Sequence, residues 1–245
     1  MHDAVIVSDL HLGSEACQAR LISEFLEQIE ACEIETRELI LNGDVFDSWD
    51  FRRLKKHHWK VLSRLRRLSD RLRITWINGN HDGPAEIVSH LLGVEVVEEY
   101  IFRSGPKRIL ALHGHVFDSF ISDHPMVTWF ADFCYHLLQK LDSRHHLARY
   151  AKHASKTYLR CSALIEQRAV EHARKLGCDA VCCGHTHMLV GTPGTIDYYN
   201  SGCWTELPCS YLTVTDGEIR VNKVGFADEM RETGAATEFL ALKSA

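Results

Sequence analysis

The sequence predicts an α/β chain with mixed sheets and helices packed outside them. Short apolar runs rich in β-formers alternate with stretches of helical period along most of the chain. Hydrophobic residues make up 45% and charged residues 25%, the balance of a globular chain, which excludes disorder, collagen and coiled coil as the dominant state. At 245 residues the chain can bury a sizeable core without staples and has room for one large domain or two small ones.

The elements follow in order. Ala4 to Val7 is an apolar strand that runs into Ser8-Asp9-Leu10-His11. Ala16 to Glu30 is a helix, because apolar residues at 21, 22, 25, 26 and 29 share one face. Glu38 to Leu41 is the next strand, ending at Asn42-Gly43-Asp44. Arg52 to Arg73 reads as one long amphipathic helix, with its apolar stripe at 54, 61, 65, 68 and 72. Ile74 to Ile77 is a strand leading into Asn78-Gly79-Asn80-His81-Asp82. Tyr100 to Arg103 and Ile109 to Leu112 flank Ser104-Gly105-Pro106, a hairpin signal, and the second strand leads into His113-Gly114-His115. Residues 117–160 interrupt the alternation; they are helical and rich in aromatics, among them Phe117, Phe120, Trp129, Phe130, Phe133 and Tyr135, and read as an inserted cap. Ser162 to Leu176 is a helix stopped by Gly177. Ala180 to Cys183 runs into Gly184-His185-Thr186-His187, and Tyr211 to Thr215 pairs with Glu218 to Val224 around Asp216-Gly217. The expected organisation is one domain over 1–225, with the cap at 117–160 and a weakly patterned tail at 226–245.

Charge and cysteine use narrow the setting. The net charge of −5 gives no global basic field, so no nucleic-acid partner is expected. Nine cysteines without a C-x-x-C pair suit free buried thiols in a reducing compartment. The first residues lack a basic stretch followed by a long apolar one, and no run is long and apolar enough to span a bilayer. The expected location is the cytoplasm.

The chain carries 16 histidines, an excess that points toward metal or acid–base chemistry without naming a site. Placement names it. Five strands each end in a short loop that holds Asp, His or Asn, usually beside a glycine. The loops are Asp9-Leu10-His11, Gly43-Asp44-Val45-Phe46-Asp47, Gly79-Asn80-His81-Asp82, His113-Gly114-His115 and Gly184-His185-Thr186-His187. Carboxyl ends of strands are where α/β sites assemble, and glycine lets backbones approach closely. If the chain continues extended, Asp9 and His11 share one side, as do His185 and His187.

Carboxylate, imidazole and amide oxygen without thiolate suit Mn²⁺, Fe²⁺, Co²⁺ or Zn²⁺. The seven candidate ligands Asp9, His11, Asp44, Asn80, His113, His185 and His187 exceed what one ion needs. A two-metal site requires a shared carboxylate, and Asp44 is the natural bridge. Such a pair clamps the oxygens of an in-line displacement and lowers the pKa of bound water toward about 7, giving a hydroxide nucleophile.

The motifs D-x-H, G-D-x-x-D, G-N-H-D, H-G-H and G-H-x-H, in this order over residues 4–224, resemble the calcineurin-like metallophosphoesterase superfamily. That resemblance implies a four-layer α/β/β/α sandwich with an inserted helical cap. It implies that Asp9, His11, Asp44 and His187 hold one ion, and that Asp44, Asn80, His113 and His185 hold the other. His81 would stand at the scissile phosphate as a catalytic residue, and Asp82 would orient it. Mn²⁺ is the expected pair, with Fe²⁺, Co²⁺ or Zn²⁺ compatible.

A narrower resemblance is to the bacterial UDP-2,3-diacylglucosamine diphosphatases, which share the Ser8-Asp9-Leu10-His11-Leu12 start, the inserted cap and Gly184-His185-Thr186-His187. It implies cleavage of the pyrophosphate of UDP-diacylglucosamine to UMP and lipid X, in lipid A biosynthesis, with the cap receiving the acyl chains. Those enzymes commonly carry G-N-R-D and H-G-D where this chain has Gly79-Asn80-His81-Asp82 and His113-Gly114-His115. Arginine offers a fixed fork to phosphate, while histidine offers a transferable proton. A broader phosphodiesterase or phosphatase acting on nucleotides or other phosphoesters therefore stays open, as does a non-catalytic scaffold on the same fold. The helix at 52–73 holds ten Lys or Arg against one acid, Asp70. With an acylated substrate, Arg64, Arg66 and Arg67 on it would meet anionic lipid at the inner face of the membrane. His57 and His58, in the same helix, are expected on solvated faces.

Overall fold

The computed structural model describes residues 1–83, 85–118 and 156–225. Strands β1 (Ala4–Val7), β2 (Glu38–Asn42), β3 (Arg73–Ile77) and β4 (Glu95–Val97) are joined with β10 (Cys209–Thr215) and β11 (Glu218–Val224) in one six-stranded sheet, ordered β11-β10-β1-β2-β3-β4. Strands β5 (Glu99–Ser104), β6 (Lys107–Leu112), β7 (Ala180–Cys183), β8 (Leu189–Thr192) and β9 (Asp197–Ser201) form a second sheet of five, ordered β5-β6-β7-β9-β8. The strands that carry the motif loops are parallel neighbours: β1, β2 and β3 in the first sheet, β6 and β7 in the second.

Alternation along each strand separates three apolar layers. Val5, Val7, Leu39, Leu41, Ile74 and Trp76 face helices α1 (Ala19–Glu30) and α2 (Lys56–Ser69). Ala4, Ile6, Ile40, Ile77, Leu212 and Val214 face the second sheet, where Ile109, Ala111, Ala180 and Cys182 meet them. Leu110, Leu112, Val181, Cys183 and Tyr198 face away from the first sheet and pack against Ala169 and Ala173 of the last described helix. With α3 (Ala85–Leu92) leading into β4, that helix is α4 (Lys156–Lys175). The arrangement is the expected α/β/β/α sandwich. Cys182 and Cys183 point to opposite faces of their strand, and eight cysteines are free thiols among the described residues.

The differences from expectation have local causes. The long helix starts only at Lys56, after a separate 3-10 turn at Phe51–Arg53, because Asp50 caps that turn and Leu54 is extended. It ends at Ser69, and Arg73 already belongs to β3. His58 is not solvated: it is 1% exposed and its Nδ1 accepts from the Lys55 backbone N–H at 3.1 Å, which caps the helix. Burial, then His57 and Lys55 nearby, push its pKa down to about 4. Helix α4 reaches back to Lys156, so the end of the segment expected as a cap belongs to the sandwich. Residues 119–155 of that segment, and the tail at 226–245, lie outside the described residues.

The basic helix spends its arginines on helix α1. Arg64 is 8% exposed and binds Ser23 at 3.0 Å, Glu27 at 2.8 Å and Glu30. Arg67 pairs with Glu30 at 3.2 Å, and Arg66 with Asp70 one turn on. A guanidinium fork satisfies several carboxylates at once, so the like charges of α2 become the seam that fixes α1 beside it. Among the described residues, no helix is long and apolar enough to cross a membrane.

Candidate metal centre

The five motif loops meet where the parallel strands of both sheets end. Backbone bonds tie them together: Asp9 N–H to Gly43 O at 3.0 Å, His11 N–H to Asp44 O at 3.0 Å, and Gly184 N–H to His113 O at 3.0 Å. Across the sheets, the Asn42 amide donates to Cys182 O at 3.2 Å. Gly43 has φ +84°, and a Cβ there would lie 2.3 Å from His113 Nδ1, so only glycine lets β2 pass the imidazole. Gly79 is equally pressed: its Cβ would lie 2.2 Å from the backbone N of Asp44.

Asp9, His11, Asp44, His185 and His187 all have left-handed backbones, with φ of 54°, 47°, 52°, 66° and 55°. The expectation that Asp9 with His11, and His185 with His187, converge along an extended chain is therefore replaced. Each residue sits in a strained turn that aims its side chain inward. Non-glycine residues persist there only when their surroundings impose it, and such strain gathers at functional sites.

Two ligand groups result. Asp9, His11 and His187 bring ligand atoms within 4.8 Å of one another, and so do Asp44, His113 and His185. In the first, His187 Nε2 lies 3.1 Å from Asp9 Oδ1 and 3.1 Å from His11 Nε2. In the second, His113 Nε2 lies 3.2 Å from Asp44 Oδ2. Asp44 links the two, because the same Oδ2 is 3.9 Å from His11 Nε2. His113 Nε2 is buried and has no hydrogen-bond partner, while Nδ1 is tied to the Asn42 carbonyl at 2.9 Å. A buried nitrogen with no hydrogen-bond partner, among carboxylates and imidazoles, fits a divalent ion. The residues present thus fit the two ions that the chemistry of the set calls for.

The charges show the same design. Burial works against ionising Asp9, yet His187, bonded to it, and then His113 hold it at about 2. Burial likewise opposes Asp44, and His113 followed by His11 keep it well below the usual carboxylate range. Burial would neutralise His113, but Asp44, then Asp9 and the Asn42 carbonyl, raise it to about 10. Without metal, protons on imidazole neutralise the carboxylates that a divalent ion would otherwise neutralise.

The other expected site residues fall on one loop with different roles. His81 is exposed at the rim; its backbone N–H donates to Asp44 Oδ1 at 2.9 Å, and its ring lies 5.2 Å from that of His11. Asn80 is exposed beside it, and its amide makes no hydrogen bond among the described residues. Among the described residues, Asp82 makes no hydrogen bond to the His81 ring. Its buried carboxylate accepts from Phe46 N–H at 2.9 Å, Gly79 N–H at 3.0 Å and Trp76 Nε1 at 3.1 Å, so it pins the loop from below. The backbone carbonyl of Asp47 holds His81 Nδ1, at 3.0 Å. The Asp47 carboxylate stands 3.6 Å from His11 Nδ1 and is paired with Arg53 at 2.6 Å. His115 packs half-buried against His113 and His185, at ring distances of 5.5 and 6.4 Å.

Two neighbours have roles that the sequence reading does not assign. Ser8, part of the Ser8-Asp9-Leu10-His11-Leu12 start but given no role there, donates to Asp9 Oδ2 and meets Ser201 at 2.7 Å. Asp118 Oδ2 lies 3.1 Å from His185 Nε2. Its position just past His113-Gly114-His115 was the available signal, hidden by assigning it to the insertion.

No curated protein sequence matches the chain. Among solved structures it is similar to a conserved uncharacterized protein of Streptococcus pneumoniae, a predicted phosphoesterase, at 17% identity over 91% of this chain and 88% of that one, with TM-score 0.44. It is similar to YfcE, a phosphoesterase from E. coli, at 15% identity over 90% and 98%, with TM-score 0.47. It is also similar to Vps29 of Entamoeba histolytica complexed with zinc, at 15% identity over 90% and 97%, with TM-score 0.44. The model of the family described as calcineurin-like phosphoesterase matches residues 3–189, a span that holds every loop of the centre. The chain belongs to the calcineurin-like phosphoesterase family.

Proposed function

We propose that this metal-dependent phosphoesterase is a dinuclear hydrolase that uses Asp9, His11, Asp44 and His187 for one ion and Asp44, Asn80, His113 and His185 for the other. The observation that carries the reading is the pair of ligand groups joined through the Asp44 carboxylate. Two bound divalent ions, Mn²⁺ first among them, would acidify a water and offset phosphate charge. The chain's own residues do the rest. His81 donates Nδ1–H to the Asp47 carbonyl, which leaves Nε2 as the atom that holds or releases a proton at the phosphate. Asp82 keeps that loop against Asp44 through its three bonds.

For substrate, the Ser8-Asp9-Leu10-His11-Leu12 start and the insertion before Gly184-His185-Thr186-His187 support the pyrophosphate of UDP-2,3-diacylglucosamine, giving UMP and lipid X for lipid A biosynthesis. In this reading the enzyme is cytoplasmic and touches the anionic inner face of the membrane. Since Arg64, Arg66 and Arg67 are paired, that contact would fall to the exposed Lys55, Lys56 and Lys60 of α2 and the turn before it. The exposed His81 favours the broader reading, a phosphodiesterase or phosphatase open to varied phosphoesters. Turnover of UDP-diacylglucosamine, UDP-glucosamine and a bare aryl phosphodiester with Mn²⁺ separates the two. Strong preference for the first supports the lipid substrate, and equal rates on all three remove it.

A further inference from the structure

Three histidines of the centre, His11, His113 and His185, have one ring nitrogen against a group outside it, and that contact decides which nitrogen is left for a ligand. His113 gives Nδ1 to the Asn42 carbonyl at 2.9 Å, and His11 has Nδ1 3.6 Å from the Asp47 carboxylate. Both therefore present Nε2 to the centre. His185 is tied the other way round: Nε2 lies 3.1 Å from Asp118 Oδ2.

We infer that Asp118 is a positioning residue for the second ion: its carboxylate accepts the hydrogen bond of His185 Nε2–H, fixing the tautomer in which Nδ1 carries the lone pair for the metal. A neutral imidazole has one donor and one acceptor nitrogen, so a carboxylate on Nε2 assigns the acceptor role to Nδ1. A carboxylate behind a metal-ligating imidazole also raises its basicity and fixes the ring plane.

The pair is built rather than incidental. The His185 and Asp118 side chains are 9% and 12% exposed. Asp118 closes the 3-10 turn His115–Phe117 with its backbone N–H on His115 O at 3.0 Å. Arg168 of α4 holds that turn from the other side, donating to Phe117 O at 2.8 Å. The His185 backbone is fixed independently, its N–H donating to Asp9 Oδ2 at 3.1 Å. Ring and carboxylate are thus anchored from different elements, and their meeting is set by the fold.

The inference rests on the two-metal reading, and its test keeps the two apart. The nitrogen-labelled protein is loaded with a spin-active cadmium isotope, and metal–nitrogen couplings are read by NMR, with His185→Gln assigning the ring. Coupling to His185 Nδ1 and His113 Nε2 is expected. Coupling to His185 Nε2 overturns the inference and leaves the metal centre standing. No coupling to any histidine overturns both. In parallel, Asp118→Ala should weaken Mn²⁺ at one of two sites by about 10–100-fold. Asp118→Asn, whose amide oxygen still accepts from Nε2–H, should recover part of that loss. Unchanged affinity in Asp118→Ala overturns the inference.

Discussion

The two sheets contribute unlike halves to the centre. Loops of the first sheet bring Asp9, His11 and Asp44, and so both carboxylates. Loops of the second bring His113, His185 and His187, all imidazoles. Each ligand group draws on both, with Asp9 and His11 meeting His187, and Asp44 meeting His113 and His185. Each group is completed only across the boundary between the sheets, where carboxylates of the first meet imidazoles of the second. The site is therefore a property of the sheet–sheet packing, and the interior layer of Ile6, Ile40, Ala111 and Cys182 is part of its mechanism.

The most severe way to break that complementarity is Asp44→Ala. It removes the shared carboxylate and leaves His113 facing no anion but Asp9. Metal analysis should show both ions lost together and turnover at background. Near-normal hydrolysis would refute the bridging role.

Removing His81 tests the rim against the interior. His81→Ala should keep both ions and lower kcat by about 10²–10⁴-fold, the usual share of a positioned acid or base. Loss of metal would place His81 among the ligands instead.

A subtler break keeps every ligand side chain and presses on one of them from the backbone of β2. Gly43→Ala puts a Cβ 2.3 Å from His113 Nδ1 at φ +84°. A denaturant melt should show destabilisation of about 1–3 kcal/mol. Metal titration should show the group of Asp44, His113 and His185 weakened more than that of Asp9, His11 and His187.

A further effect is read by pH on metal-free protein. Asp9 is held near 2 against an ordinary 3.8, so its contribution is present above 3.8 and lost as pH falls toward about 2. His113 is raised to about 10 from 6.5, so its contribution is complete below 6.5 and lost as pH rises toward about 10. For these two groups, stability is greatest between 3.8 and 6.5. Mn²⁺ should flatten the alkaline limb, since the ion takes the place of the imidazolium proton. Calorimetry near neutral pH should register protons released on metal uptake, and no release would contradict the raised His113.

Legibility in the sequence followed chemistry more closely than geometry. Strand β1, the final hairpin and the helix stripe at Val61, Leu65 and Leu68 are readable because side-chain alternation and helical period are local properties. Strand β9, Asp197–Ser201, is not, because its polar residues lack an apolar alternation and their burial is decided by the fold: Asn200 is wholly buried and donates to Gly184 O. The basic neighbours of His58 suggest a surface residue, whereas its burial and its cap on the Lys55 N–H exist only in the folded chain.

Within the centre the division is the same. The amino-acid order by itself determined which residue types end which strands, and so the donor chemistry, because a motif loop needs only its own few residues and glycines. The tertiary structure alone decided their directions. It turned Asp82 inward onto Phe46, Gly79 and Trp76, gave the hold on His81 to a backbone carbonyl, and set Asp118 behind His185. Hydrogen-bond partners across tens or hundreds of residues are fixed by how two sheets pack, and no local pattern encodes which side of a carboxylate or imidazole will face the other.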